Sequence, residues 1–336
     1  MMDMDFQTIP PVEKPKEMLD AAFGAARQKA GQIKKSKAKR MEYGALQQEK
    51  LILRIQTVKK VLTRRLRKIV SSFPSLNSMM PFYQKLLRCY VDTGMVRKCL
   101  GAVDWASTRI EKLSREYEGK ARKNRDNSKY AQIRQAYYGR ISSTLNQIAD
   151  ELLFLEEVRS VLRTFPTLKE TFTICIAGFP NVGKSTLLKR LSGAEPEIAA
   201  YAFTTKSLNV GYMEGLYGWV QLVDTPGTLN RKDRMNDVEL QAHIALQELA
   251  DAVVYVYDLT EPWPLEKQEK LLKRIQKLKK PIILYVSKHD IIPERVEKFC
   301  ADRGAHFDIE KLKHSIREME RESYARNQNF LKESGK

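Results

Sequence analysis

The chain has 336 residues, 43% of them hydrophobic, enough for two or three domains with sizeable cores. Its formal net charge is +18 and is unevenly placed: residues 1–170 hold 34 Lys/Arg against 18 Asp/Glu, and residues 171–336 hold 25 against 23. Four scattered cysteines exclude a metal knuckle or redox pair and fit free thiols in a reducing compartment, and the longest apolar run near the end, 282–286, is far too short to span a bilayer. The acidic, proline-containing start, Met1 to Pro15, lacks the apolar segment of a signal peptide, so a soluble, intracellular protein is expected.

Residues 13–165 read as helix almost throughout. Leu51, Ile55, Val58, Leu62, Leu66, Ile69 and Phe73 recur every three or four positions, which puts them on one helical face. Phe73-Pro74 ends that helix, because a proline disfavours helical backbone in the residue before it. Helical patterns resume over 79–90 and 95–123, and a last stripe runs Ile133, Tyr137, Ile141, Leu145, Ile148, Leu152, Leu155 and Leu162. These predict long antiparallel helices in a bundle over residues 1–168. The basic residues cluster there, at Lys34–Arg40, Lys59–Lys68 and Lys120–Lys129, and a field of this sign suits a polyanion, either nucleic acid or an acidic membrane surface. Lys60, Arg64 and Arg67 share one face beside the buried stripe.

From Phe172 the texture changes to short apolar runs at 172–177, 208–213, 219–223, 252–257 and 281–286, with helical patterns at 184–192, 238–249 and 265–278. That alternation predicts a parallel α/β domain over 169–308, followed by a charged helical tail over 309–336. After the first run, Gly178-Phe179-Pro180-Asn181-Val182-Gly183-Lys184-Ser185 has the phosphate-loop spacing, with a strand before it and a helix after it. Glycines there let backbone N–H groups curl around phosphates, and the helix N-terminus adds positive potential. The candidate nucleotide contacts are Asn181, Val182, Gly183, Lys184, Ser185 and Thr186, with Lys184 on the β and γ phosphates and the Ser185 hydroxyl on Mg²⁺.

Asp224-Thr225-Pro226-Gly227 follows the 219–223 run. Asp224 there can hold Mg²⁺ through water, and the Gly227 N–H can sense the γ-phosphate. Between the two motifs lies Phe203-Thr204-Thr205-Lys206, where a threonine hydroxyl can complete the Mg²⁺ shell; Thr205 is preferred to Thr204. Lys184, Thr205 and Gly227 form the candidate catalytic set around the γ-phosphate, and Ser185, Thr205 and Asp224 the metal set. Ser287-Lys288-His289-Asp290 follows the 281–286 run. Asp290 can pair with guanine N1–H and its exocyclic amine, Lys288 can lie over the ring, and His289 is expected to face solvent. Together these predict an α-helical bundle followed by an α/β Ras-like P-loop GTPase domain.

The chain resembles the nucleolar GTP-binding protein 1 family within the Obg-like GTPases. The resemblance rests on Gly178–Leu187, on Tyr201-Ala202-Phe203-Thr204-Thr205-Lys206-Ser207-Leu208, on Asp224–Gly227, and in the helical half on Phe73–Leu76, Pro81-Phe82-Tyr83 and Leu162–Leu168. It implies GTP/GDP and Mg²⁺ as ligands and a GTPase that helps assemble the large ribosomal subunit, with rRNA or a subunit precursor as partner; no membrane partner is expected, because the long helical stripes read as buried rather than lipid-inserting. It also implies a short archaeal-type member, cytoplasmic there and nucleolar in a eukaryote. Oligomeric state is not indicated. Two features depart from the family pattern. Position 287 is serine where asparagine is usual, and no Ser-Ala-Lys-like loop is visible, since the stretch from Asp290 to Asp308 is tight for a helix, a strand and that loop.

Thr228 and Leu229 follow Gly227, so no side chain there can orient the attacking water, and slow hydrolysis is expected. Asn181 either binds a stimulating K⁺ or only stabilises a turn. Two readings compete: an rRNA-binding scaffold whose GTPase domain holds nucleotide and hydrolyses it poorly, and a membrane-associated GTPase that sets its basic helices on anionic lipid, against which the long stripes read as buried rather than lipid-inserting.

Overall fold

The structure is a computed structural model and describes residues 6–33, 43–193, 197–199, 208–225, 243–260 and 263–333. Contacts divide it into two units, 6–79 with 87–163, and 80–86 with 164 onward. Lys34–Arg40, and with them the first basic cluster, lie outside the described residues.

The helical unit contains α1 (Pro15–Gly31), α2 (Tyr43–Ser72), α4 (Thr93–Lys123), α5 (Lys129–Asn146) and α6 (Ala149–Leu162), with α3 (Pro81–Tyr90) between α2 and α4. All seven residues of the first stripe are buried, because α2 presents that face to α1 and α4. Asp92 starts α4 by accepting from the Gly94 and Met95 N–H groups at 2.7 and 3.3 Å, satisfying two donors with no partner inside the helix. The last stripe is divided: the helix breaks at Gln147 and Ile148, so α5 and α6 are separate, and Ile133 is only half-buried while the rest of the stripe is buried. Inside this core the Tyr137 hydroxyl lies 2.8 Å from Ser114 Oγ and donates to the Ile55 carbonyl at 3.3 Å.

The other unit is built on a six-stranded sheet in the order β2-β3-β4-β1-β5-β6: β1 (Thr173–Ala177), β2 (Glu197–Ala199), β3 (Leu208–Glu214), β4 (Trp219–Asp224), β5 (Ala252–Tyr257) and β6 (Ile282–Val286). β4, β1, β5 and β6 run parallel, while β3 is antiparallel to both β2 and β4. β1 and β5 are buried at every residue, as central parallel strands covered on both faces should be. The helices are α7 (Lys184–Ser192), α8 (Leu265–Gln276), α9 (Pro293–Arg303) and α10 (Ile309–Glu333). Pro293 begins α9 and Gly304, at φ 64°, ends it.

Three sequence expectations are adjusted. The described part of the 238–249 pattern ends in a π-helical turn, Ala245–Leu249. The short strand β2 was not foreseen. And α10, expected as a charged helical tail, packs on α7 and β6, buries Leu312 and Ile316, and its buried Glu320 accepts from the Leu216 and Tyr217 N–H groups at 2.6 and 3.2 Å.

Residues 80–86 join the sheet unit through Tyr83, which is fully buried. Its hydroxyl donates to the Pro166 carbonyl at 2.6 Å and accepts from the Leu168 N–H at 2.9 Å, fixing the chain just before β1. Tyr83→Phe would strand both backbone groups, at a cost of about 2 kcal/mol. The expected result is faster hydrogen exchange at the Leu168 amide by roughly 10–30-fold.

Candidate functional site

The phosphate-loop residues sit at the C-terminal end of β1, where open α/β sheets place their ligands. The turn depends on backbone that most side chains disfavour. Gly178 has φ 153°, and a Cβ there would lie 2.7 Å from the Val256 carbonyl oxygen; Gly183 has φ 95°. Asn181 adopts the left-handed region at φ 60°, which asparagine tolerates better than most residues. That observation favours its turn role. Val182 is buried beneath the loop, while Ser185 and Thr186 are exposed at the start of α7.

Lys184 is buried and its ammonium donates to the Phe179 carbonyl at 2.8 Å, which keeps it at the mouth of the loop. The Ser185 hydroxyl donates to Asp224 Oδ2 at 2.5 Å, and Asn209 on β3 donates to the same oxygen at 3.2 Å. Burial lifts the Asp224 carboxyl above the usual carboxylate range, against the opposing pull of Ser185, Lys184 and Asn209. Its other oxygen, Oδ1, is buried with no hydrogen-bond partner among the described residues. An ionised carboxylate with an unsatisfied oxygen beside a hydroxyl is a hard-oxygen donor set, which fits Mg²⁺. Thr225 locks the strand end by donating from both its hydroxyl and its N–H to the Ile176 carbonyl. Thr205 and Gly227, with Thr204, lie outside the described residues.

At the end of β6, Ser287 is buried and its hydroxyl donates to the Tyr257 carbonyl at 3.0 Å. Gly183 is close by: a Cβ built on it would lie 3.5 Å from Ser287 Cβ. Serine therefore stands beside the phosphate loop, as an asparagine would, but spends its hydroxyl on β5. Lys288, at φ 56°, is tied through its ammonium to Asp258 at 2.6 Å and to Thr260 Oγ1 at 3.3 Å. Burial raises the Asp258 carboxyl, but the bonds from Lys288 and Thr260 outweigh it and leave the group below the usual carboxylate range. Asp290 is exposed, free to meet a base edge. His289 does not simply face solvent; it is half-buried and stacks on Phe307 at 4.3 Å. Beyond α9, the chain makes one parallel bridge, between Tyr285 and His306, where a further strand would run. The 18 residues that looked tight hold α9 and that single bridge.

Four contributors were missed. Asn209 reaches Asp224 from β3, Asp258 anchors Lys288, and the Trp263 indole donates to the Pro180 carbonyl of the phosphate loop at 2.9 Å. Gln268 on α8, 1% exposed, holds the Asp258 N–H and carbonyl and the Trp263 carbonyl. A signal existed for one of them, since Asp258 follows a run of six apolar residues. The others depend on pairings that only the folded chain creates.

Comparison with known proteins adds an independent view. Residues 6–169 match the NOG1 N-terminal helical domain, and residues 173–288 match the 50S ribosome-binding GTPase family. An uncharacterized protein of Methanocaldococcus jannaschii is 36% identical over 293 residues, which cover 86% of this chain and 82% of that one. Nucleolar GTP-binding protein 1 of Kluyveromyces lactis is 35% identical over 237 residues, 68% of this chain and 37% of the relative. The chain spans less than half the length of the nucleolar relatives it matches. Among solved structures, the G domain of the T. maritima FeoB iron transporter is 26% identical, over 45% of this chain and 99% of that one, at a TM-score of 0.37. With a helical domain and a GTPase domain matched in the order in which the fold presents them, the chain belongs to the nucleolar GTP-binding protein 1 family of GTP-binding proteins.

Proposed function

We propose that the chain is a slow, Mg²⁺-dependent GTPase whose nucleotide state controls its attachment to a precursor of the large ribosomal subunit, with the basic helical unit holding rRNA. Asn181 to Thr186 cradle the phosphates, Ser185, Thr205 and Asp224 hold Mg²⁺, and Ser287, Lys288 and Asp290 serve the guanine. Lys184, Thr205 and Gly227 stabilise charge on the transferred phosphoryl group. The ribosomal part is supported by the names of the relatives and of the matched GTPase family. Among the described residues no helix is long and apolar enough to cross a membrane. A cytoplasmic location suits an archaeal-type member and a nucleolar one a eukaryotic member.

The single observation that carries the nucleotide reading is the buried, unpartnered Oδ1 of Asp224 beside the Ser185 hydroxyl. Because burial raises this carboxyl's pKa above its unfolded value, its charge opposes folding at neutral pH when no cation is bound, and that cost fades as the pH falls through the folded pKa. Asp224→Asn is therefore expected to raise the melting temperature of the nucleotide-free protein. The same change should abolish the gain in GTP affinity on adding Mg²⁺ to EDTA-treated protein. Wild-type affinity that ignores Mg²⁺ would refute the metal assignment.

Slow turnover follows from Thr228 and Leu229 standing where a water-orienting side chain would be. If Asn181 recruits K⁺, turnover in KCl should exceed that in NaCl at matched ionic strength, and Asn181→Ala should remove the difference. Equal rates in both salts leave Asn181 with its turn role alone. A second reading, an rRNA-binding scaffold with a poorly hydrolysing GTPase domain, is favoured by Ser287, whose hydroxyl bonds β5. Single-turnover hydrolysis in the presence of ribosomal precursor separates the two.

A further inference from the structure

Helices α1, α2 and α5 close around a cavity of about 600 Å³ lined by Phe23, Arg27, Arg54, Arg134, Tyr138 and Ser142, together with Gln135 and Gly139. Three arginines from three different helices face it, and no carboxylate of the described residues lines it. None of the three makes a hydrogen bond or ion pair among the described residues, and Arg54 Nε is buried with no partner. A guanidinium nitrogen withdrawn from water without an acceptor is costly, and three like charges around one cavity repel each other. Phe23 and Tyr138, stacked face to face at 4.0 Å and 7°, both line the same cavity and form its aromatic wall.

We propose that this cavity is a second ligand site, in the helical unit, which takes a nucleoside phosphate: phosphoryl oxygens on Arg27, Arg54 and Arg134, and the base against the Phe23–Tyr138 wall. Guanidinium groups bind phosphate through paired, charge-assisted hydrogen bonds, which supply the acceptor that Arg54 Nε lacks. The volume lies within the range of small-ligand pockets. Aromatic walls hold single bases by stacking, whatever their identity. The arginines also act on Tyr138: burial raises its phenol pKa, and Arg54, Arg134 and Arg27 pull it back down. None of the lysines or arginines proposed for general rRNA affinity lines this cavity, so the site stands or falls independently of both the GTPase assignment and those clusters.

The same chemistry has two sources, a nucleotide splayed out of an RNA strand or a free nucleoside phosphate. The test uses the full chain with one equivalent of GDP and Mg²⁺, enough to fill the GTPase site and no more, and titrates AMP, adenosine and a single-stranded adenosine ribotetramer by calorimetry. AMP or the tetramer is expected to bind one to one, and adenosine at least tenfold more weakly. Arg54→Gln and Arg134→Gln should each weaken binding by about 10–100-fold, the range of a charge-assisted hydrogen bond. Arg27→Gln, at an exposed position, supplies a variant that leaves the packed core alone. A tetramer that binds far more tightly than AMP identifies RNA as the source; equal affinities identify the free nucleotide. The proposal is overturned if neither probe binds, or if they bind and all three arginine variants that keep wild-type melting temperatures retain full affinity.

Discussion

Asp290→Asn is expected to turn a guanine site into a xanthine site. The carboxylate accepts from two donors on the guanine edge; an amide presents one donor of its own, which suits the extra carbonyl of xanthine. A site built around hydrogen bonds rejects a ligand that leaves them unmade by about 10⁴-fold. GTP affinity should fall by that order while XTP affinity rises, and Lys184→Ala should weaken both nucleotides alike. The structure suits this expectation because Asp290 is exposed at the end of β6 while its neighbour Lys288 is pinned by Asp258. The substitution then changes the base edge without loosening the lysine. Titration of fluorescent GTP, XTP and ATP analogues measures it, and a wild-type protein that binds ATP as tightly as GTP would show that the base-reading assignment is wrong.

The second large effect concerns rRNA. The structure sorts the basic residues that the sequence could only group. In the third cluster Lys120, Arg122 and Lys129 are paired with Glu116, Glu118 and Asp126, the arrangement of an ordinary solvated helix surface. In the second, Arg65 pairs with Glu13 and Arg67 with Glu111. Lys60, Arg64 and Lys68 are exposed on α2 at successive spacings of four, with no ion pair among the described residues. Arg67, first grouped with Lys60 and Arg64, thus yields its place to Lys68. Reversing Lys60, Arg64 and Lys68 to glutamate should lower affinity for structured rRNA by more than 100-fold near physiological salt. It should also flatten the dependence of log affinity on log salt by about 2–3. Reversing Lys120, Arg122 and Lys129 should matter much less. The full chain is the right material, because Tyr83 ties residues 80–86 to the segment before β1. An unchanged salt slope in the first triple variant would move the rRNA contact elsewhere.

Much of this architecture was legible in advance because two periodicities carry it. Leu51 to Phe73 repeat with the helical period, and 172–177 and 252–257 are continuous apolar runs of central-strand length, so both units could be named and ordered. The phosphate loop was legible for a different reason: its glycines, lysine and serine work at fixed spacing within one continuous segment. What escaped is what depends on distant parts of the chain. Asn209 reads as one more polar residue at the start of a strand until β3 pairs antiparallel with β4 and sets it opposite Asp224. Trp263 looks like a loop aromatic until its indole meets Pro180. Strand β2, three residues long at the sheet edge, carries too little pattern to be seen. The helical tail expected from residue 309 onward is a helix over Ile309–Glu333, but nothing in its charged surface announces that Glu320 will grip the β3–β4 hairpin.

The loop leaving β5 has a consequence for how nucleotide is felt. Gln268 holds Asp258 and Trp263 in one small frame; Asp258 fixes the lysine of the base site, and Trp263 fixes the floor of the phosphate loop. The two ends of the ligand therefore press on a shared piece of backbone. In the proposed complex, guanine held by Lys288 and phosphate held by the loop bear on the same frame, so each half of the ligand favours the other's binding with equal strength. Guanosine and pyrophosphate, offered as separate molecules, should assist each other's binding, and Gln268→Ala should leave each able to bind alone while making them strangers.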